Sequence, residues 1–123
     1  VIFAGFLFGS QKLEALVDAS VVVQTSRYEE GAWAPFEAVL CRTPIVVSDN
    51  SGAGLDVKKI DAGYLCKFGD RKDLADKIGY VISNQRIAMK KTIKAKDFIE
   101  ENLSMESRVG EYIDVYNGKW SSV

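Results

Sequence analysis

Apolar residues along this chain follow two rhythms, short unbroken runs and longer stretches where they recur every three or four positions. An unbroken run suits a strand buried on both faces, and the wider spacing suits a helix with one apolar stripe. Runs at residues 1–4, 21–23, 45–47 and 64–66 therefore predict four strands. Gly5 and Gly9 bracket a loop after the first, and Leu13, Leu16 and Val17 predict a short amphipathic helix over residues 12–19. A strand–helix–strand rhythm of this kind predicts parallel pairing.

Residues 26–33 read as a loop, and a helix follows with Pro35 at its first position, where the missing N–H costs nothing. Phe36, Val39 and Leu40 then turn inward, Glu37 falls in the first turn, and Thr43-Pro44 ends the helix. After the third strand, residues 49–54 form a polar, glycine-bearing turn and residues 56–60 a brief helical turn. Asp70 caps a helix with Leu74, Ile78, Val81 and Ile82 on one stripe; Asn84 ends it, and residues 86–102 continue helically with a lysine-rich outer face. Ser104 caps a last helix with Val109, Tyr112, Ile113 and Tyr116 inward, closed by Gly118. The predicted fold is α/β: a Rossmann-like three-layer α/β/α arrangement, with a short parallel sheet and a helical C-terminal part. Residues 1–118 form one unit, and residues 119–123, with Trp120 and Val123, read as a frayed tail.

Composition narrows the function classes. At 123 residues the chain is one domain's worth, and 47% hydrophobic with 27% charged is ordinary globular usage. Sixteen basic residues against 17 acidic give a net charge of -1, so there is no electrostatic footprint for nucleic acid or for an anionic membrane surface. With no histidine, and with Cys41 and Cys66 lacking metal-ligand spacing, a zinc site or histidine triad within this chain is excluded. Both cysteines read as reduced core residues. No apolar run reaches the roughly 18 residues of a membrane span, and the opening VIFAGFLFG has no basic flank. Cytoplasmic placement is the default, with the intact protein free to sit peripherally at a membrane. Opening on a strand-like run without methionine, the chain reads as cut from something longer.

The densest stretch is SRYEEGAWAPFEAVLCRTPIVVSD, residues 26–49. It sets two carboxylates on a strand-to-helix turn, the place where open α/β sheets bind ligands. Ser26, Glu29, Glu37-Ala38, Cys41, Thr43-Pro44, Val46-Val47 and Asp49 together resemble the donor-site signature of retaining GT-B glycosyltransferases of the E-x7-E group, glycosyl transferases group 1. The flanks agree, with Val1, Phe3 and Gly5 before the site, Asp18-Ala19 leading in, and Gly63 and Leu65 after it. The resemblance runs from Val1 to about Tyr116 and implies the second half of a C-terminal, nucleotide-sugar-binding domain.

On that resemblance, Glu29 contacts a hydroxyl of the transferred sugar and is the catalytic position, Glu37 accepts from the donor ribose, and the amides of Gly31, Ala32, Trp33 and Ala34 face sugar or phosphate. The partner is a nucleotide sugar, with a hexose passing to an acceptor held by a separate N-terminal domain. No cofactor or metal is required. The basic pair that holds the diphosphate lies upstream in the family and has no counterpart here, so the isolated chain is expected to be inactive. The chain departs from the family where Glu29 is followed by Glu30, Gly31 and Ala32 rather than Gly-aromatic-Gly, and where Arg42 replaces a helix-ending glycine. At Arg42 a left-handed backbone is expected to be strained or avoided. Met105 replaces a frequent tryptophan.

Plainer readings stand beside these. Glu37 suits a helix start through the macrodipole alone, Glu29 beside Glu30 could be a solvated loop charge, and Trp33 and Phe36 could be core. Turn chemistry explains Ser51, Gly52 and Gly54, and the lysines from Lys90 to Lys96 read as a wet face. Two other functions remain open, a non-catalytic scaffold or regulatory domain of the same fold and part of a nucleotide-sugar epimerase.

Overall fold

The computed structural model describes residues 1–119; the expectation for Trp120 to Val123 lies outside them. Three strands, β1 (Val22–Gln24), β2 (Ile45–Ser48) and β3 (Tyr64–Cys66), form a parallel sheet in the order β1-β2-β3. The register pairs Val23 with Val46 and Val47 with Leu65. β2 is the central strand, and all of its side chains are buried, as an unbroken apolar run requires.

Helices cover both faces. On one, α2 (Trp33–Leu40), α3 (Gly52–Ile60) and the C-terminal part of α5 (Gln85–Asn102) enclose Ile45 and Val47 with Ala38, Val39, Val57, Ala95 and Ile99. On the other, α4 (Arg71–Ser83) and the start of α5 enclose Val46 and Cys66 with Val81 and Ala88. The α/β/α layering is the predicted one. Asp70 caps α4 as expected, accepting from the backbone N–H groups of Lys72 and Asp73, and the Asp73 N–H holds its carboxyl below the usual carboxylate range. Ser104 likewise caps α6 (Met105–Tyr116).

Several expectations are corrected. Residues 1–8 form no helix or strand, and Phe3 is 94% exposed. An apolar run becomes a strand only where a neighbour completes its ladder, and among the described residues β1 pairs on one side alone, with β2. Among the described residues the sheet therefore has three strands, not four. α1 starts earlier than predicted, spanning Gly9–Asp18, and only Leu16 of its stripe packs on the core; Leu13 and Val17 are exposed. Residues 52–60 are a full helix rather than a turn, because Ser51 caps it by accepting from the Gly54 N–H at 3.0 Å. Ile82 and Leu40 lie outside the core. α6 packs against α5 yet buries no residue, leaving Val109, Tyr112, Ile113 and Tyr116 exposed. Periodicity marks an apolar face but not whether anything covers it.

Arg42 does adopt the left-handed backbone, with φ of 64°. Its N–H donates to Val39 O and the Thr43 N–H to Ala38 O, each at 2.8 Å, the paired closing bonds of a helix end that normally carries glycine. The Thr43 hydroxyl, buried, donates to Leu16 O at 2.5 Å and ties the end of α1 to this corner. Replacing Arg42 by glycine is expected to raise unfolding stability by roughly 0.5–1 kcal/mol, the relief of left-handed strain less the extra freedom glycine adds to the unfolded chain. A shift of the urea midpoint to higher concentration is the result that checks it.

Candidate functional site

β1 runs out at Gln24, and the chain crosses the carboxyl ends of β1 and β2 as a loop before α2 begins. That loop is held from several sides. The Ser48 hydroxyl at the end of β2 donates to Ser26 O at 2.7 Å, and Gly52 N at the start of α3 donates to Glu29 O at 2.8 Å. A Cβ on Gly52 would fall 2.6 Å from the Glu29 carbonyl oxygen and from the Glu30 carbonyl group, so the absence of a side chain is what lets loop and helix meet.

Glu29 is half-buried. Its Oε2 accepts from Gln24 Nε2 at 2.8 Å, and the same amide nitrogen reaches Ser26 Oγ at 3.1 Å. The other carboxylate oxygen, Oε1, is buried and has no hydrogen-bond partner. Leaving a buried acceptor unmet costs about 1–3 kcal/mol, so Oε1 calls for a donor from outside the chain, a water or a ligand. Glu30 turns to solvent, and Gly31 is exposed with open space around it.

Ala32 is the N-cap of α2 in extended backbone, with no side-chain cap, and Trp33 and Ala34 are its first helical residues. Their amides belong to the first turn, whose N–H groups have no acceptor within the helix. Trp33 is 81% exposed and is not core. Because the helix starts two positions before Pro35, Glu37 belongs to its second turn rather than its first. Its Oε1 accepts from Lys12 Nζ of α1 at 2.7 Å, with both side chains more than a third exposed.

The predicted residues thus fall into two groups: Glu29 with Gln24, Ser26 and Gly52, and Glu37 with Lys12. Among the described residues no hydrogen bond joins the two carboxylates to each other or to a shared side chain. Beside the loop, the carboxyl ends of all three strands open on a cavity of about 340 Å³ lined by Thr25, Ser48, Cys66, Phe68 and Arg71, among others. Neither glutamate lines it. A larger hollow of about 750 Å³, lined by Ser83, Asn84, Arg86 and Lys90 at the α4–α5 corner, lies away from the strand ends. Cys66 is free and buried, and burial, then Asp73 and Asp49, push its thiol up, which keeps it protonated and unreactive. Cys41, also free, is half-buried rather than core.

Residues 1–102 match the family described as glycosyl transferases group 1. The chain belongs to that family. Among curated relatives, the poly(ribitol-phosphate) alpha-N-acetylglucosaminyltransferase of Staphylococcus aureus (strain COL) is 30% identical over 118 residues, covering 95% of this chain and 24% of that protein. The N-acetyl-alpha-D-glucosaminyl L-malate synthase of Bacillus anthracis is 24% identical over 103 residues, covering 84% of this chain and 27% of its own length. The chain therefore spans about a quarter of each relative. No solved structure gives a significant match.

In this group 1 family member, two residues of the candidate site escape sequence reading. Gln24 is masked by the apolar run before it, although a polar residue at the tip of such a run is itself a signal. Lys12 lies 25 positions from Glu37 on a separate helix, and no spacing rule joins them. Among the described residues no helix is long and apolar enough to cross a membrane, and no three Cys, Asp or Glu side chains gather where they would hold a metal ion.

Proposed function

We propose that this chain is the donor-binding part of a retaining glycosyltransferase that transfers a hexose from a nucleotide sugar, and that it turns over nothing on its own. The reading rests chiefly on Glu29, a carboxylate fixed by one oxygen while the other has no donor, on a loop pinned across the carboxyl ends of β1 and β2. A sugar hydroxyl would supply the donor that this oxygen lacks, entering by displacing the chain that now buries it. Glu37 accepts from the donor ribose; Lys12 occupies one of its oxygens, and a carboxylate retains further lone pairs. The amides of Gly31 and Ala32 before α2, and of Trp33 and Ala34 in its first turn, offer N–H groups, with the positive end of the α2 dipole, to anionic oxygens. Both relatives carry N-acetylglucosaminyl in their names, which favours N-acetylglucosamine as the transferred sugar. Diphosphate grip and acceptor site belong to other parts of the intact protein.

Replacing Glu37 by alanine in the intact enzyme tests the donor assignment. Donor affinity is expected to fall about 10-fold, the scale of one charge-assisted hydrogen bond. The fold should stand, because an exposed ion pair contributes at most about 1 kcal/mol. Unchanged affinity by calorimetric titration would favour the scaffold reading, which the altered loop around Glu30 and Gly31 keeps open.

A further inference from the structure

We propose that Gln24 is a positioning residue, whose amide aims the Glu29 carboxylate so that only Oε1 is left to recognise the donor sugar; this rests on the role given to Glu29 above. Gln24 is the last residue of β1 and, by the two-residue period of a strand, shares the face of Val22, which packs against the core under α2. From that rigid root its amide nitrogen donates to Glu29 Oε2 at 2.8 Å and to Ser26 Oγ at 3.1 Å. An amide NH2 has two protons, and both are used. Since a carboxylate only accepts, the nitrogen and not the amide oxygen must face Glu29, so the orientation is fixed by chemistry.

The consequence is directional. A carboxylate on a loop side chain can rotate and offer either oxygen; with Oε2 held, Glu29 keeps one unpartnered acceptor in one place, and since Oε1 is buried in the free chain a sugar reaches it only by displacing what covers it. The backbone adds its own restraint, since Gly52 N donates to the Glu29 carbonyl at 2.8 Å. Backbone and side chain of Glu29 are thus held by two different elements, β1 and α3. By contrast, Glu37 is held only by a half-exposed lysine and keeps more freedom. Specificity for one sugar hydroxyl should therefore depend on Gln24, a residue that need not touch the sugar.

The test uses the intact enzyme with UDP-N-acetylglucosamine and its single-deoxy analogues as probe donors. The variants are Gln24→Leu, Gln24→Met, Glu29→Ala and the double variants, each shown to be folded by its unfolding midpoint. The parent enzyme is expected to discriminate against the analogue lacking the hydroxyl that Glu29 contacts. Gln24→Leu or Gln24→Met should reduce that discrimination about 10-fold in kcat/KM while leaving discrimination against the other analogues unchanged, and should add nothing in the Glu29→Ala background. If Glu29→Ala erases the discrimination and a folded Gln24 variant retains it, the positioning role is overturned and the role of Glu29 stands. If Glu29→Ala itself leaves discrimination intact, both fall. Gln24→Met, unbranched and of similar length, keeps the test decisive should leucine disturb the strand end.

Discussion

Replacing Gly54 by alanine is expected to cost at least about 3 kcal/mol, a large share of the about 5–15 kcal/mol that domains of this size hold in reserve. A Cβ there would lie 2.2 Å from the Ser48 carbonyl oxygen and 3.1 Å from the Asp49 carbonyl group. Both are backbone, so no side chain can swing aside. Ser48 ends the central strand, is fully buried, and its carbonyl oxygen accepts from the Ser51 hydroxyl at 2.9 Å. Relief therefore means moving either β2 or the start of α3, and α3 also carries Val57 into the core. Gly79 in α4 is the control, because nothing lies within 4 Å of its added Cβ and alanine there should stabilise by roughly 0.5–1 kcal/mol. Urea unfolding followed by circular dichroism measures both. A Gly54→Ala chain as stable as its parent would mean that α3 does not start against the end of β2.

Replacing Glu29 by alanine in the intact enzyme is expected to lower kcat/KM by about 100-fold, the upper end of what one charge-assisted hydrogen bond contributes. Folding should change little, since the substitution removes an orphaned acceptor as well as the bond to Gln24. The loop keeps its ties through Ser48 and Gly52, which bind backbone and not the Glu29 side chain. That separation between folding and turnover is what a steady-state measurement beside an unfolding curve would read. Equal kcat/KM in parent and variant would remove Glu29 from the donor site.

Much of this was readable from the residues alone. β2, β3 and the caps at Asp70 and Ser104 follow from apolar runs and capping chemistry, and a loop leading into a helix after β1 was expected too, though α2 starts two residues before Pro35 and sets Glu37 in its second turn. Local signals suffice there because each residue's role depends on neighbours a few positions away. The failures share the opposite cause. Whether residues 1–4 form a strand depends on a ladder partner, and whether Tyr112 and Ile113 are buried depends on a covering layer, neither of which periodicity encodes. Arg42 shows context overriding propensity: two backbone bonds and the buried Thr43 hydroxyl hold a conformation that its side chain disfavours. At the site, both glutamates were visible but their partners were not. Gln24 and Lys12 reach them through the third dimension, and only the position of Gln24 at a strand tip carried any hint.

Among the described residues β1 is bonded along one side only, and Val23 on it is 39% exposed. A short parallel edge with free N–H and C=O groups is a template for further chains, and the exposed Ile2, Phe3, Phe6 and Phe8 lie on the same chain without cover. Prepared by itself at high concentration, the polypeptide will be prone to clump, and mild detergent or a solubilising fusion is the sensible starting point for its purification.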